Sequence, residues 1–146
     1  MEKATFGTRV MAWFGDMLAL VAIATVISFI LGPLIGLTAG RDSTFLGLIS
    51  GALAAIWILS LMFLHFIYFG YFWSKDGQSL GMRWLHIRVV RQEKGASLSF
   101  LRAALRGTLG YWISDLIFGL GYLWALWDKD SEAWHDKVFD TWVVGE

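Results

Sequence analysis

Two long apolar runs set the pattern of this chain. The first extends from about Val10 to Ala39 and holds a single charged side chain, Asp16. The second extends from about Thr44 to Trp73, where His65 is the one titratable group apart from tyrosines. A hydrocarbon core of ~30 Å takes roughly 20 apolar residues, so each run is long enough to cross a bilayer. Length and the lack of turn residues before Gly32 predict helices. Pro33 is expected to kink or end the first helix, and Asp42 or Ser43 to cap the second. The second run exceeds the bilayer thickness, so it must tilt or project. Its end, Tyr68, Tyr71, Phe72 and Trp73, reads as an aromatic belt at an interface.

Residues 74–106 are polar and basic. Lys75, Arg83, Arg88, Arg91, Lys94, Arg102 and Arg106 face only Asp76 and Glu93. Such an excess marks a cytoplasmic loop, and two crossings then place the amino terminus, with Lys3 and Arg9, on the same side. Within the loop, Trp84 to Arg91 is β-branched and partly alternating, and Gln92-Glu93-Lys94-Gly95 supplies a turn, which predicts a strand and a reversal. Ser97 or Ser99 is expected to cap a basic amphipathic stretch through Arg106 that lies on the membrane surface. A third apolar segment, 107–127, carries Asp115 and four glycines that favour breaks. It either spans once or forms a re-entrant hairpin. The acidic tail, 128–146, contains a second strand-like stretch, Val138 to Val144. Its natural mate is Leu85 to Arg91, because a lone strand is unstable, and that pairing favours the hairpin.

Composition agrees with lipid as the solvent. Hydrophobic residues make up 57% and charged residues 16%, whereas soluble domains run near a quarter charged. The expected fold is an all-α membrane protein: two long transmembrane helices, a third apolar helical segment and a small cytoplasmic β element, in one membrane domain over 6–144. The start of the chain reads as a retained first span, being too long and too aromatic for a cleaved signal. A net charge of zero gives no support for nucleic-acid binding. The absence of cysteine excludes disulfides and thiolate metal sites. His65, His86 and His135 have no metal-ligand spacing, and His65 reads as hydrogen-bonded packing. No nucleotide-binding or nucleophile motif occurs, and His135-Asp136 has no accompanying serine or cysteine motif. No enzyme activity, cofactor or metal is expected.

Asp16 is the first candidate for chemistry. A carboxylate inside a span costs a few kcal/mol or more unless it is protonated, paired or wet. Arg9, seven residues earlier, shares its helix face but lies about 10 Å along the axis, too far for an ion pair. Asp16 is therefore either an acid that pins packing or a site for Na+ or H+. Asp115 is the second candidate, either an ion site or a hydrogen-bonded acid capping a half-helix. Arg102 and Arg106 are possible charge partners for either acid. Gly32, Gly36, Gly40, Gly47, Gly51 and Ala55 recur at four-residue spacing, which lets helix backbones approach. Packing of the first two helices on each other is the expected use, and a homo-oligomer the other.

Taken in order, several segments resemble the RDD family of small membrane proteins: Gly7-Thr8-Arg9 through Gly15-Asp16, Gly77-Gln78-Ser79-Leu80-Gly81-Met82-Arg83, Ile87-Arg88-Val89-Val90, Trp134-His135-Asp136-Lys137 and Thr141-Trp142-Val143-Val144. The resemblance covers nearly the whole chain. It implies that Arg9, Asp16 and Asp136 are the arginine and two aspartates for which the family is named, while Asp115 has no clear counterpart. Phe139 and Asp140 stand where the family usually has small residues. The resemblance also implies a bacterial cytoplasmic membrane. Family members without an established activity stand beside others proposed as sodium/proton antiporters. Two expectations follow: cation or proton transport through Asp16, in an oligomer that encloses a path, or a non-transporting scaffold or assembly factor that uses its basic loop to meet lipid or partner proteins.

Overall fold

A computed structural model describes residues 2–40, 43–93 and 95–146. Arg41, the expected cap Asp42 and Lys94 of the expected turn lie outside the described residues. The chain divides into two compact units, one formed by Met1–Met17 with His65–Glu146, the other by Leu18–Leu64.

The Leu18–Leu64 unit is built from parts of two helices, α1 (Phe6–Thr38) and α2 (Thr44–Lys75). Both are long and apolar enough to cross a membrane, and the described residues of this unit carry no charged side chain. Leu18 to Thr38 and Thr44 to Leu64 are each roughly 20 residues, about 30 Å of helix, which matches a hydrocarbon core. Ser43 Oγ accepts from the Leu46 N–H at 3.4 Å, the expected cap. Pro33 does not end α1, which continues to Thr38. One missing N–H does not stop a helix whose other backbone groups have no water to turn to. Trp57 Nε1 donates to Ser28 Oγ at 3.0 Å, joining the two helices of this unit.

The glycine stripe does not do what its spacing suggests. A Cβ added at Gly32, Gly36, Gly40, Gly47 or Gly51 would meet nothing within 4 Å. Close approach through glycine occurs in the other unit. There, a Cβ on Gly15 would lie 3.0 Å from Gly81 Cα, and one on Gly81 would lie 2.0 Å from the Ala12 carbonyl oxygen.

That second unit holds the short elements. After α2 come α3 (Leu80–Trp84), β1 (Ile87–Arg91), α4 (Phe100–Leu105), a π-helical turn at Arg106–Gly110 and α5 (Tyr111–Asp115). Then follow α6 (Leu120–Leu123), a 3-10 turn at Trp124–Leu126, α7 (Trp134–Phe139) and β2 (Thr141–Gly145). The two strands pair antiparallel with Ile87 opposite Gly145 and Arg91 opposite Thr141. The free edge of β2 takes up the amino-terminal segment through an isolated bridge between Lys3 and Val144 and a bond from Ala4 N to Val143 O at 2.9 Å. Residues 2–4, β1 and β2 therefore form one small sheet.

The expected strands are real but shorter. Trp84 ends a helical turn, and β1 starts only at Ile87, because Ser79 opens α3 and His86 takes a left-handed conformation at φ 52°. Val138 and Phe139 belong to α7, and Asp140, left-handed at φ 51°, turns the chain into β2. Ser99 caps α4 by accepting from Arg102 N. The stretch it opens does not simply lie on a surface, because Arg106 is 1% exposed. Of the expected aromatic belt, Tyr68 and Trp73 are instead buried core beside Phe69, whereas Tyr71 is exposed and Phe72 half-buried, with Phe69 and Trp73 ring centroids 4.4 Å apart. The third apolar segment is bent by 102° between Phe100–Asp115 and Leu120–Leu126. Gly119 at φ 76° makes the reversal, and Phe118, 101% exposed, stands at its tip.

The two classes of glycine predict opposite responses to alanine. Gly81→Ala drives a methyl into the Ala12 carbonyl, and overpacking of this kind costs about 1–3 kcal/mol or more. Gly36→Ala meets open space and gains helix propensity of roughly 0.5–1 kcal/mol. Thermal unfolding in detergent should fall for Gly81→Ala and hold or rise for Gly36→Ala.

Candidate functional site

Asp16 sits on the face of α1 that Ala12 and Gly15 open for close contact. Because two glycines meet there, the backbone of α3 comes within reach of its carboxylate. Asp16 Oδ1 accepts from the Gly81 N–H and the Tyr68 hydroxyl, both at 2.8 Å, and Oδ2 accepts from Ser79 Oγ at 2.6 Å. The Tyr68 oxygen also accepts from Leu80 N at 3.3 Å. Asp16 is 1% exposed. It thus serves as a cap supplied from a distant helix, satisfying the first turn of α3 while Tyr68 ties α2 to the same knot. Three donors satisfy the carboxyl oxygens without any cation. Sequence reasoning did not find Tyr68, Ser79 or Gly81 as partners. Only the order Gln78-Ser79-Leu80-Gly81 pointed at them, without saying what they bind.

Arg9 does not turn to Asp16. It forms an ion pair with Asp136 Oδ2, and its Nη1 donates to the Ser131 carbonyl at 2.7 Å. Arg106 pairs with the other oxygen, Oδ1, and its Nε donates to Thr141 Oγ1 at 3.0 Å. The guanidinium of Arg106 lies over Trp73, 4.5 Å from the ring centroid. Asp136 Oδ2 also accepts from Ala133 N at 3.0 Å, closing the start of α7. The expected role of Arg106 as partner to Asp16 or Asp115 is therefore replaced by one at Asp136. Arg102 makes no ion pair among the described residues, its backbone N–H going to Ser99.

Beside this cluster, His135 Nδ1 and Ser114 Oγ are 2.9 Å apart, and His135 Nε2 lies 3.5 Å from Arg9 Nη2. A guanidinium only donates. Nε2 therefore presents its lone pair to Arg9, and Nδ1 carries the proton toward Ser114. Burial drives His135 down to about 3, and Arg106 and Arg9 act the same way against Asp136. Burial alone would push the Asp136 carboxyl up, but the Arg9 and Arg106 guanidiniums outweigh it and hold it well below the usual range. Serine, histidine and aspartate thus meet without forming a charge-relay geometry. Ser114 is 0% exposed, and a Cβ on Gly121 would lie 2.4 Å from Ser114 Cα. The acid is committed to two arginines.

Asp115 is exposed at the end of α5, and the Tyr122 hydroxyl donates to the Tyr111 carbonyl at 3.2 Å. Asp115 does not cap the following half-helix, whose N-terminal residue is Gly119. Asp16 and Asp115 are not brought into one site: Asp115 lines a cavity of about 430 Å³ with Arg9, Arg106 and His135, whereas Asp16 does not line it. His65 packs its ring 6.3 Å from that of Phe69. No group of three or more metal-binding side chains occurs among the described residues.

The lowered pKa of His135 makes stability depend on pH. The unfolded chain takes up a proton near 6.5 and the folded one only near 3. The contribution is complete above pH 6.5 and is lost as pH falls through that window, by up to about 1.4 kcal/mol per unit. Asp136 adds its own loss only below its ordinary value of 3.8. Thermal stability in detergent should decline from pH 7 to 5 in the wild type, and His135→Gln should flatten that slope.

The comparisons with known proteins meet the same residues. Over 90 residues the chain is 30% identical to a protein named "Proline-rich antigen homolog" from Mycobacterium tuberculosis, covering 60% of this chain and 37% of that protein. It is 26% identical over 85 residues to "Proline-rich antigen" from Mycobacterium leprae, covering 58% of this chain and 33% of that protein. The chain thus spans about a third of the length of the curated relatives it matches. No solved structure matches it. The RDD family model matches residues 3–140, a span that takes in Arg9, Asp16 and Asp136, and the chain belongs to the RDD family of membrane proteins.

Proposed function

We propose that this chain is a non-transporting scaffold or assembly module of a bacterial cytoplasmic membrane, with no enzyme activity of its own. The observation that carries this reading is the state of Asp16. Its carboxylate has three donors, no exposure and no share in the cavity. A transport acid must exchange its partner for a proton or cation and needs a path to water on each side. An acid that caps a helix in this way does neither.

The proposed topology rests on the small sheet. Because residues 2–4, β1 and β2 are hydrogen-bonded to one another, they lie on one side of the bilayer. An even number of crossings must separate them. α1 and α2 supply two. The bent segment between β1 and β2 then enters and leaves on one face, its apolar tip of Leu116, Ile117 and Phe118 in lipid. The basic excess between Lys75 and Arg106 supports a cytoplasmic position for the shared face.

Two measurements test the proposal. In proteoliposomes the wild type should show no sodium- or proton-coupled flux, and Asp16→Asn should mainly lower stability, by about 1–3 kcal/mol, because its amide faces donors. Flux in the wild type that Asp16→Asn abolishes, with folding intact, would establish cation transport instead. For topology, the absence of cysteine allows single cysteines to be read directly. In intact cells Ser43→Cys should react with an impermeant thiol reagent, while Glu93→Cys and Lys129→Cys should not. Reaction at Lys129 alone among the last two would mean that the third segment spans.

A further inference from the structure

The cavity of about 430 Å³ is walled by Trp13, Phe14, Phe118 and Leu123 and reaches Arg9 and Arg106. The charges at its base do not balance. Two guanidiniums, Arg106 buried and Arg9 partly exposed, share the one carboxylate of Asp136, so positive charge exceeds negative by one within this cluster. Arg106 is 1% exposed, and its Nη1 has no hydrogen-bond partner among the described residues. The stack on Trp73 covers one face of the guanidinium, but the N–H groups of Nη1 lie in its plane and still require an acceptor. A buried donor left unmet carries a real penalty, which an oxyanion bound in the cavity would relieve.

We infer that this cavity binds an amphiphile with a single oxyanion head, carboxylate or phosphate, and an apolar chain. The head meets Arg106 and Arg9, and the chain runs along the aromatic wall. A free inorganic anion would leave that wall without a partner. A cationic head would face the positive excess. Asp115, exposed and also lining the cavity, limits the ligand to one negative charge by repelling a second. The ligand can come from the bilayer as an acidic phospholipid or from solution as a free fatty acid. This site is separate from Asp16 and stands whether or not the scaffold reading does.

Native mass spectrometry of the full chain in neutral detergent tests the site with four probes: oleate, oleyl alcohol, dioleoylphosphatidylglycerol and dioleoylphosphatidylcholine. One equivalent of oleate or of phosphatidylglycerol should bind, at least tenfold more tightly than oleyl alcohol or phosphatidylcholine. The tighter of the two acidic probes identifies the source. Asp115→Asn, at an exposed position, should tighten binding several-fold, and raised salt should weaken it. Val10→Trp, which fills the lined space, should abolish binding while thermal unfolding stays cooperative. Equal binding of oleyl alcohol, weaker binding in Asp115→Asn, or no bound acidic probe in the folded wild type would each overturn the proposal.

Discussion

The carboxylate of Asp136 is the point on which the rest of the second unit depends. It lies in α7, yet its two oxygens take Arg9 from α1 and Arg106 from the π-helical turn, while Oδ2 also closes the start of its own helix. Thr141, at the start of β2, holds the Nε of the same Arg106. One small anion thus fixes the entry helix, the bent hairpin and the sheet in a common frame. Removing water from three charges is expensive, and an ion cluster in such a place is justified only if nearly every donor and lone pair is used. In this cluster the geometry leaves two buried donors without a partner among the described residues, the Nη1 of Arg106 and the Nε1 of the Trp73 it stacks on.

Asp16 repeats the device on a smaller scale and without a counterion. Its partners are a hydroxyl, a phenol and a backbone N–H. The two acids divide the labour. Asp136 gathers charged elements, and Asp16 fastens α2 and the turn after it to α1. Both need a backbone that lets another element come close, which explains why Gly81 and Gly15 face each other while the glycines between Gly32 and Gly51 face open space. Apolar surface alone would leave the registry of short helices loose, since most of their neighbours are interchangeable hydrocarbon. Directional bonds to a carboxylate select one arrangement.

The long helices, the bent third segment and the pairing of two strands were legible because each rests on a local or compositional rule: apolar length, glycine breaks, and the need of a strand for a mate. Ser43 and Ser99 as caps were legible for the same reason. What escaped was nonlocal. Seven-residue spacing put Arg9 and Asp16 on one face, yet nothing in that spacing says that Arg9 reaches Asp136, more than a hundred residues later. Arg106 read as part of a surface helix or as a partner of Asp16 or Asp115, and only its tertiary partner Asp136 and the Trp73 face show where it lies. Tyr68 and Trp73 read as an interfacial belt because an aromatic cluster at the end of an apolar run looks the same whether it meets headgroups or protein. The small-residue stripe failed for a related reason: spacing permits approach but does not require it.

The position of β2 between β1 and residues 2–4 has a consequence for the order in which this molecule is assembled. β2 is the middle strand of the small sheet, yet it is made after every element it joins. Arg9 and Arg106 are likewise made before Asp136. As the chain is synthesised, α1 and α2 are available for insertion while the amino-terminal segment waits without its strand and both guanidiniums without their acid. Both guanidiniums are therefore without their acid until α7 is made. The ion cluster is thus a latch that α7 closes behind the helices made before it.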